Sequence, residues 1–310
     1  MENKVIIVCG PTASGKTSLS INLAKRLNAD IVSCDSMQIY KEMNIGTAKP
    51  DMVERDGVKH HMMDVISVCD EYNVSKFVAD AQKYIDSILK NNKNVIIVGG
   101  TGLYVDSLIN NVNFFEFEND EDYRQQLTKI AEKEGGQALL EMLKSFDPES
   151  ASRLHSNDVK RIIRALEVYK VTGKTQTQLH IESARNRKYE PLYVALNYSD
   201  RQKLYDRINL RVDLMVENGL IDEAKSLKNL KLSKTARAAI GYSDMFEYLE
   251  GNVSLQQAVD NIKQKSRNYA KRQITWFKRN PETKWFFADC YDCSSDLYDD
   301  VYKYLLSKMR

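Results

Sequence analysis

The stretch "KVIIVCGPTASGKTSLS" (4–20) constrains the fold more than any other part of the chain. A short β-branched run leads into the pattern G-x-x-x-x-G-K-[ST], from Gly10 to Thr17. Leu19, Leu23 and Leu27 then follow four apart. That spacing puts the leucines on one face of a helix. A buried strand, a glycine-rich turn and a helix start together make a phosphate cradle. The backbone N–H groups turn inward, and the positive end of the helix faces the anion. Gly10, Pro11, Thr12, Ala13, Ser14, Gly15, Lys16 and Thr17 are therefore the expected phosphate-binding residues. Lys16 adds a point charge, and the Thr17 hydroxyl is the expected Mg²⁺ ligand.

The same strand–helix rhythm continues. "ADIVSCDS" (29–36) reads as a second strand, "VSKFVADAQKYIDSILKNN" as a helix, and "KNVIIVGGTGLY" as a strand ending in a glycine turn. Strands alternating with helices predict a parallel sheet covered on both faces. The rhythm stops near Asn113. From about Glu116 to Arg187 the chain is charged and helical. Its clearest piece, "DVKRIIRALEVYKVTG", puts Ile162, Ala165, Leu166 and Tyr169 on one face and stops at Gly173. "PLYVALNYS" (191–199) and "TKWFFAD" (283–289) return to the strand pattern. The expectation is an α/β core of the P-loop NTPase type, with a parallel sheet flanked by helices. It is built from residues 1–115 and 188–310, with a helical insertion domain at 116–187.

With 310 residues, 43% of them hydrophobic, the chain can bury one large core. No apolar run approaches the roughly 20 residues of a membrane helix. The N-terminal apolar stretch leads into the phosphate loop and does not read as a signal peptide. Five cysteines form no disulfide framework, so a cytoplasmic location is expected. "CYDC" (290–293) lacks a second ligand pair and reads as incidental. "KHHMMD" (59–64) has adjacent histidines that point different ways. It reads as a structural pair near a strand start.

Net charge is only +2 but unevenly spread. Between Asp260 and Arg279 lie Lys263, Lys265, Arg267, Lys271, Arg272, Lys278 and Arg279, against a single acid. On a helix, Lys263, Arg267 and Lys271 form a ridge four residues apart, with Val259, Ile262, Tyr269 and Phe277 toward another face. Such a stripe is either a solvated basic face or a contact for a polyanion. Lys160, Arg161 and Arg164, and then Arg201, Arg207 and Arg211, form two further basic groups. Three separated clusters suit a long anion such as a nucleic acid.

P-loop hydrolases usually end a later strand in an acid that supports Mg²⁺ and the attacking water. Here that strand ends in glycines and Thr101. The candidate acid is instead Asp35, at the end of the second strand. It reads as a turn-former or as a general base. In a parallel sheet the C-terminal strand ends form the ligand crevice, so Asp35, Thr101 and the phosphate loop should share it.

Together, "GPTASGKT", "DSMQIYKEMNIGTAKP", "HHMMD", "VGGTGLY", "NDVKRIIRALEVY", "LYDRINLRVDLMVENGLIDEA", "AAIGY" and "RNYAKRQITWF" resemble the tRNA dimethylallyltransferase family over nearly the whole chain. Departures are small: "GYSD" (241–244) stands where a Lys and a Glu usually follow the Tyr, and Ser266 replaces a usual Thr. The resemblance implies that the loop holds the diphosphate of dimethylallyl diphosphate and that the acceptor is N6 of an adenosine in the anticodon loop of tRNA. It implies Asp35 as the proton acceptor. Lys16, Thr101, Arg211 and Mg²⁺ on Thr17 would stabilise the leaving diphosphate. It further implies tRNA contacts from Asp35, Ser36, Met37, Gln38, Thr101, Arg124, Lys160, Arg161, Arg164, Arg237, Gly241, Tyr242, Arg267, Lys271 and Arg272, in a protein working as a monomer. Three other readings stay open: a free-adenylate isopentenyltransferase, a small-molecule kinase, and a non-catalytic RNA-binding protein that uses a nucleotide as a switch.

Overall fold

The computed structural model describes residues 4–111, 120–185 and 187–309. Six parallel strands form one sheet in the order β3-β2-β4-β1-β5-β6. They are β1 (Lys4–Cys9), β2 (Ala29–Ser33), β3 (His60–His61), β4 (Asn94–Val98), β5 (Glu190–Asn197) and β6 (Lys284–Phe287). The apolar runs read as strands all fall in this sheet. The histidine pair forms its short edge strand, where His61 Nε2 lies 3.3 Å from Asp30 Oδ2.

Helices follow the strands as parallel crossovers require. α1 (Lys16–Leu27) buries Leu19, Leu23 and Leu27 against Ile6, Val8, Ile31 and Ile96. α2 (Val74–Lys90) is capped by Asn73, whose side chain accepts from Lys76 N–H at 3.0 Å. α3 (Gly102–Ile109) follows β4 directly.

By its internal contacts the chain divides into Met1–Ile109 with Tyr189–Arg310, and Asn110–Lys188. The boundary expected at 115/116 lies outside the described residues. The second unit contains α4 (Glu121–Glu134), α5 (Gly136–Lys144), α6 (Pro148–Arg153), α7 (Val159–Thr172) and α8 (Gln176–Arg185). It has its own core of Leu127, Leu139, Leu143, Ile162, Ile163 and Leu166. Tyr169, expected on the buried face of α7, is half-open to solvent and stacks on Phe146 with ring centroids 3.9 Å apart.

After β5 come α9 (Arg201–Glu217), α10 (Leu220–Lys228), α11 (Lys234–Arg237) and α12 (Tyr242–Leu249). The 23-residue α13 (Leu255–Phe277) starts at a reciprocal capping box between Ser254 and Gln257. α14 (Ser294–Met309) closes the sheet beside α1, burying Leu297, Val301 and Leu305. Among the described residues, no helix is long and apolar enough to cross a membrane.

Gly10 shows why the turn after β1 needs its glycine. Its φ is +132°, and an added Cβ would stand 2.2 Å from the Leu196 carbonyl oxygen of β5. Gly10→Ala therefore meets both backbone strain and a backbone clash. It is expected to lower stability by about 2 kcal/mol or more. Urea unfolding checks this, and a midpoint matching the parent's would refute it.

Candidate active site

α1 begins without a side-chain cap. Its N-cap, Gly15, is left-handed at φ 95°, and Ala13 is left-handed at φ 62°. The first amides of a helix lack intrahelical acceptors, so this end is electrostatically ready for an anion. The preceding loop is held from several sides. Lys16 Nζ donates to the Pro11 carbonyl at 2.6 Å, and Arg207 Nε donates to the Ala13 carbonyl at 3.0 Å. The Thr12 N–H donates to Gln273 Oε1 at 2.8 Å.

Opposite the loop stand the ends of β2 and β4. Gly99 passes so close to β2 that a Cβ would meet the Cys34 carbonyl oxygen at 2.0 Å. Asp35 Oδ1 accepts from the N–H groups of Met37 at 2.8 Å and Gln38 at 3.3 Å. The turn reading of Asp35 is thus correct, and it does not displace the functional one. The same carboxylate lines a cavity of about 310 Å³ with Lys16, Thr17, Arg211, Tyr269 and Arg272. Thr101 Oγ1 accepts from the Ser36 N–H at 3.3 Å, which joins the two strand ends. A second cavity, about 720 Å³, shares Lys16, Thr17, Ala48 and Arg211 with the first.

The third wall is the loop after Met43, which sequence reasoning did not single out as part of the site. The Glu223 carboxylate on α10 accepts from the N–H groups of Asn44, Ile45 and Gly46 at 2.9–3.0 Å, and from the Tyr242 hydroxyl at 2.5 Å. This gathering of donors sets the loop so that the Thr47 carbonyl accepts from Arg211 Nη2 at 3.2 Å and from Gln38 Nε2 at 3.3 Å. Tyr242 was expected to touch tRNA, but it is 0% exposed. Its ring fills the space a Cβ on Gly46 would need, 2.6 Å from that position. It has no surface to offer a polynucleotide, and neighbouring Gly241 is buried at the same corner.

The basic helix α13 differs from a solvated stripe. Lys263 pairs with Asp213 at 2.6 Å, Arg267 Nη1 donates to Asn209 Oδ1 at 2.6 Å, and Lys271 Nζ lies 5.8 Å from the Tyr205 ring centre. The expected ridge therefore meets a matching i, i+4 ridge on α9. Lys271 and Arg272 are still exposed, as is Arg237. Lys265 pairs with the buried Asp244 at 2.7 Å, so the departure in "GYSD" has a local partner. In the second unit, Lys160 and Arg161 are exposed. Arg124 is committed to the buried Glu167 through two hydrogen bonds of 2.7 and 2.9 Å, with Arg164 at 3.7 Å from the same carboxylate.

Electrostatically the cavity is strained toward accepting negative charge. Burial, helped by the nearby Arg211 guanidinium and opposed by Asp35, lowers the Lys16 ammonium to about 8. Burial also lowers Arg211. The Tyr269 phenol is pushed up to about 12, by burial first and then by Asp35. A bound polyanion relieves the two cations.

Parallel strands, an uncapped phosphate loop and an acid at the neighbouring strand end define a P-loop α/β protein with an anion-ready cavity at its strand ends. The IPP transferase family model matches residues 38–280, and the chain belongs to that family. It is 44% identical over its whole length to a protein of Caldanaerobacter subterraneus named tRNA dimethylallyltransferase, covering 100% of that protein as well. A Thermoanaerobacter protein of the same name is also 44% identical, with 100% of this chain and 99% of that one covered. Among solved structures, the full-length tRNA isopentenylpyrophosphate transferase of Bacillus halodurans superposes with a TM-score of 0.75 at 40% identity, over 99% of this chain and 97% of that one. A eukaryotic dimethylallyltransferase acting on tRNA gives a TM-score of 0.73 at 29% identity, over 93% of this chain and 74% of that one.

Since the Lys16 ammonium titrates near 8, the free protein loses that charge as pH rises through this value. Affinity for inorganic pyrophosphate is expected to fall between about pH 7.5 and 9, relative to Lys16→Arg, whose charge does not titrate in that range. Parallel calorimetric titrations check this. Identical pH profiles would remove Lys16 from the anion site.

Proposed function

We propose that this chain transfers the dimethylallyl group of dimethylallyl diphosphate to the exocyclic N6 of an adenosine in the anticodon loop of tRNA, releasing diphosphate. One observation carries the reading: the phosphate loop, the Asp35 carboxylate and Arg272 of the basic helix line one cavity. The strand that would carry a hydrolytic acid ends in Gly99, Gly100 and Thr101. This suits a reaction in which no water needs activation.

In the step proposed, the allylic C–O bond breaks and its electron pair leaves with the diphosphate. The adenine N6 forms the new C–N bond, and its proton passes to Asp35. The adenine amine is a weak nucleophile because its lone pair is delocalised into the ring, so proton removal and leaving-group stabilisation act together. Lys16, Arg211 and the amides at the start of α1 meet the charge that grows on the diphosphate. Thr101 fixes the Ser36 amide beside Asp35. A divalent metal fits the donor set: Thr17, whose hydroxyl is an oxygen ligand, lines the cavity beside the phosphate loop, and the buried Ser14 hydroxyl oxygen in that loop has no hydrogen-bond partner. Mg²⁺ takes such oxygen ligands together with diphosphate oxygens and water. When bound, it neutralises part of the diphosphate charge. The adenine is turned out of a single-stranded loop at a cost of a few kcal/mol. Phosphate loop, base and basic helix all come from one chain, which supports action as a monomer. All five cysteines are free, which supports a reducing cytoplasm.

The test is product analysis. tRNA incubated with the protein and dimethylallyl diphosphate, then digested to nucleosides, should contain isopentenyl-adenosine. Prenylation of AMP with tRNA unchanged, or phosphoryl transfer from ATP, would overturn the reading. Asp35→Asn should retain the fold and tRNA binding while turnover drops by roughly 10²–10⁴. Near-normal turnover would take Asp35 out of the base role.

Lys271 lies on the exposed side of α13 and outside the cavity lining. Lys271→Gln is expected to raise the KM for tRNA, leave that for the allyl donor unchanged, and flatten the dependence of log affinity on log salt by somewhat under 1 unit. Titrations at several salt concentrations measure this. An unaltered slope would make Lys271 a solvated residue only.

A further inference from the structure

The phosphate loop fits a pattern shared with proteins that bind nucleoside triphosphates, so the loop alone does not select a diphosphate. We infer that Gln273 makes the selection. Its amide takes one loop N–H out of the phosphate cradle and closes the end where a third phosphoryl group would lie. The inference rests on the reading of the loop as the diphosphate site.

Gln273 sits on α13 and is 5% exposed. Its Oε1 accepts from the Thr12 N–H at 2.8 Å, and its Nε2 donates to the Gly100 carbonyl at 3.0 Å. Both ends of the amide are therefore used, and its orientation is set. The seat is tight, since a Cβ on Gly100 would come within 2.0 Å of Nε2. Tyr269, one turn earlier on α13, lines the same cavity as Gln273.

A P-loop holds the inner phosphates with amides near the helix start, while its lysine reaches toward the outer one. In this chain the helix-side amides, at Gly15, Lys16 and Thr17, begin an uncapped helix. Thr12, toward the strand side, already has an acceptor. Two phosphoryl groups can be served by the helix-side half. A third, continuing past Lys16, meets an amide oxygen where it needs a donor, in a cavity that also holds the Asp35 carboxylate. An acceptor facing an anion costs the hydrogen bond and adds repulsion. Gln273 is thus a specificity-determining residue for the length of the phosphate chain.

The experiment compares inorganic pyrophosphate with inorganic tripolyphosphate as inhibitors competing with dimethylallyl diphosphate. The parent protein is expected to prefer pyrophosphate. Gln273→Ala frees the Thr12 N–H and opens space, so the preference should shift toward tripolyphosphate by about tenfold, the worth of one hydrogen bond to a charged group. Gln273→Glu keeps an acceptor on Thr12 and adds a negative charge, so the preference for pyrophosphate should sharpen. Thermal melting is followed for each variant. If the alanine variant does not fold, Gln273→Asn, one methylene shorter, is expected to shift the ratio in the same direction as alanine. A ratio that stays constant while both affinities fall would make Gln273 a structural brace and overturn the inference. Failure of pyrophosphate to compete in the parent protein would instead overturn the diphosphate reading of the loop.

Discussion

The amides at the start of α1 carry no side-chain cap, and the surrounding structure depends on keeping that end open. An uncapped helix terminus costs stability. Here the cost is localised where an anion can offset it. The neighbouring groups hold the loop in shape without covering its helix-side half. Lys16 and Arg207 bind its carbonyls from two directions, and Gln273 binds one strand-side amide. The sheet supplies rigidity, because β1 lies between β4 and β5 with every residue from Lys4 to Cys9 in register with Glu190 to Ala195.

The loop from Asn44 to Lys49 shows polar groups ordering a half-buried turn. Backbone amides away from regular structure need acceptors when water is excluded. Glu223 supplies one carboxylate to three consecutive amides and to the Tyr242 hydroxyl. Hydrogen bonds to a carboxylate are shorter and stronger than those between neutral groups, so one side chain can hold the whole turn. The order it imposes passes through the Thr47 carbonyl to Arg211. A residue on α10 thereby sets the position of a cation in the cavity.

Much of this was legible in the chain. The strands at 4–9, 29–33, 94–98 and 190–197 appear as apolar runs because interior strands of a parallel sheet are buried on both faces, and the half-open edge strand at 284–287 shows through its aromatic residues. The phosphate loop, Asp35 and Thr101 were readable from the rule that strand ends meet at one crevice. What spacing could not reveal was pairing between distant segments. Lys263 and Arg267 looked like surface charges until α9 was seen to place Asp213 and Asn209 opposite them. Tyr242 was expected as a tRNA contact only through the family resemblance of the Arg237–Asp244 stretch. Its burial follows from Glu223 and Gly46, 19 and 196 positions away. Gln273 gave only a weak signal, one of several neutral amides in a basic, aromatic helix.

The order of strands has a consequence for how the chain reaches this state. β1 is made before both of its partners, β4 at 94–98 and β5 at 190–197. Between those two partners lies the unit Asn110–Lys188, which has a hydrophobic core of its own. The central strand of the sheet therefore waits with one edge unpaired while the whole Asn110–Lys188 unit leaves the ribosome. Non-local pairing of this kind is slow, and a waiting apolar edge invites association with other chains. Local folding of the inserted helices replaces part of that 79-residue span with a compact core. This shortens the search that β5 must make to find β1.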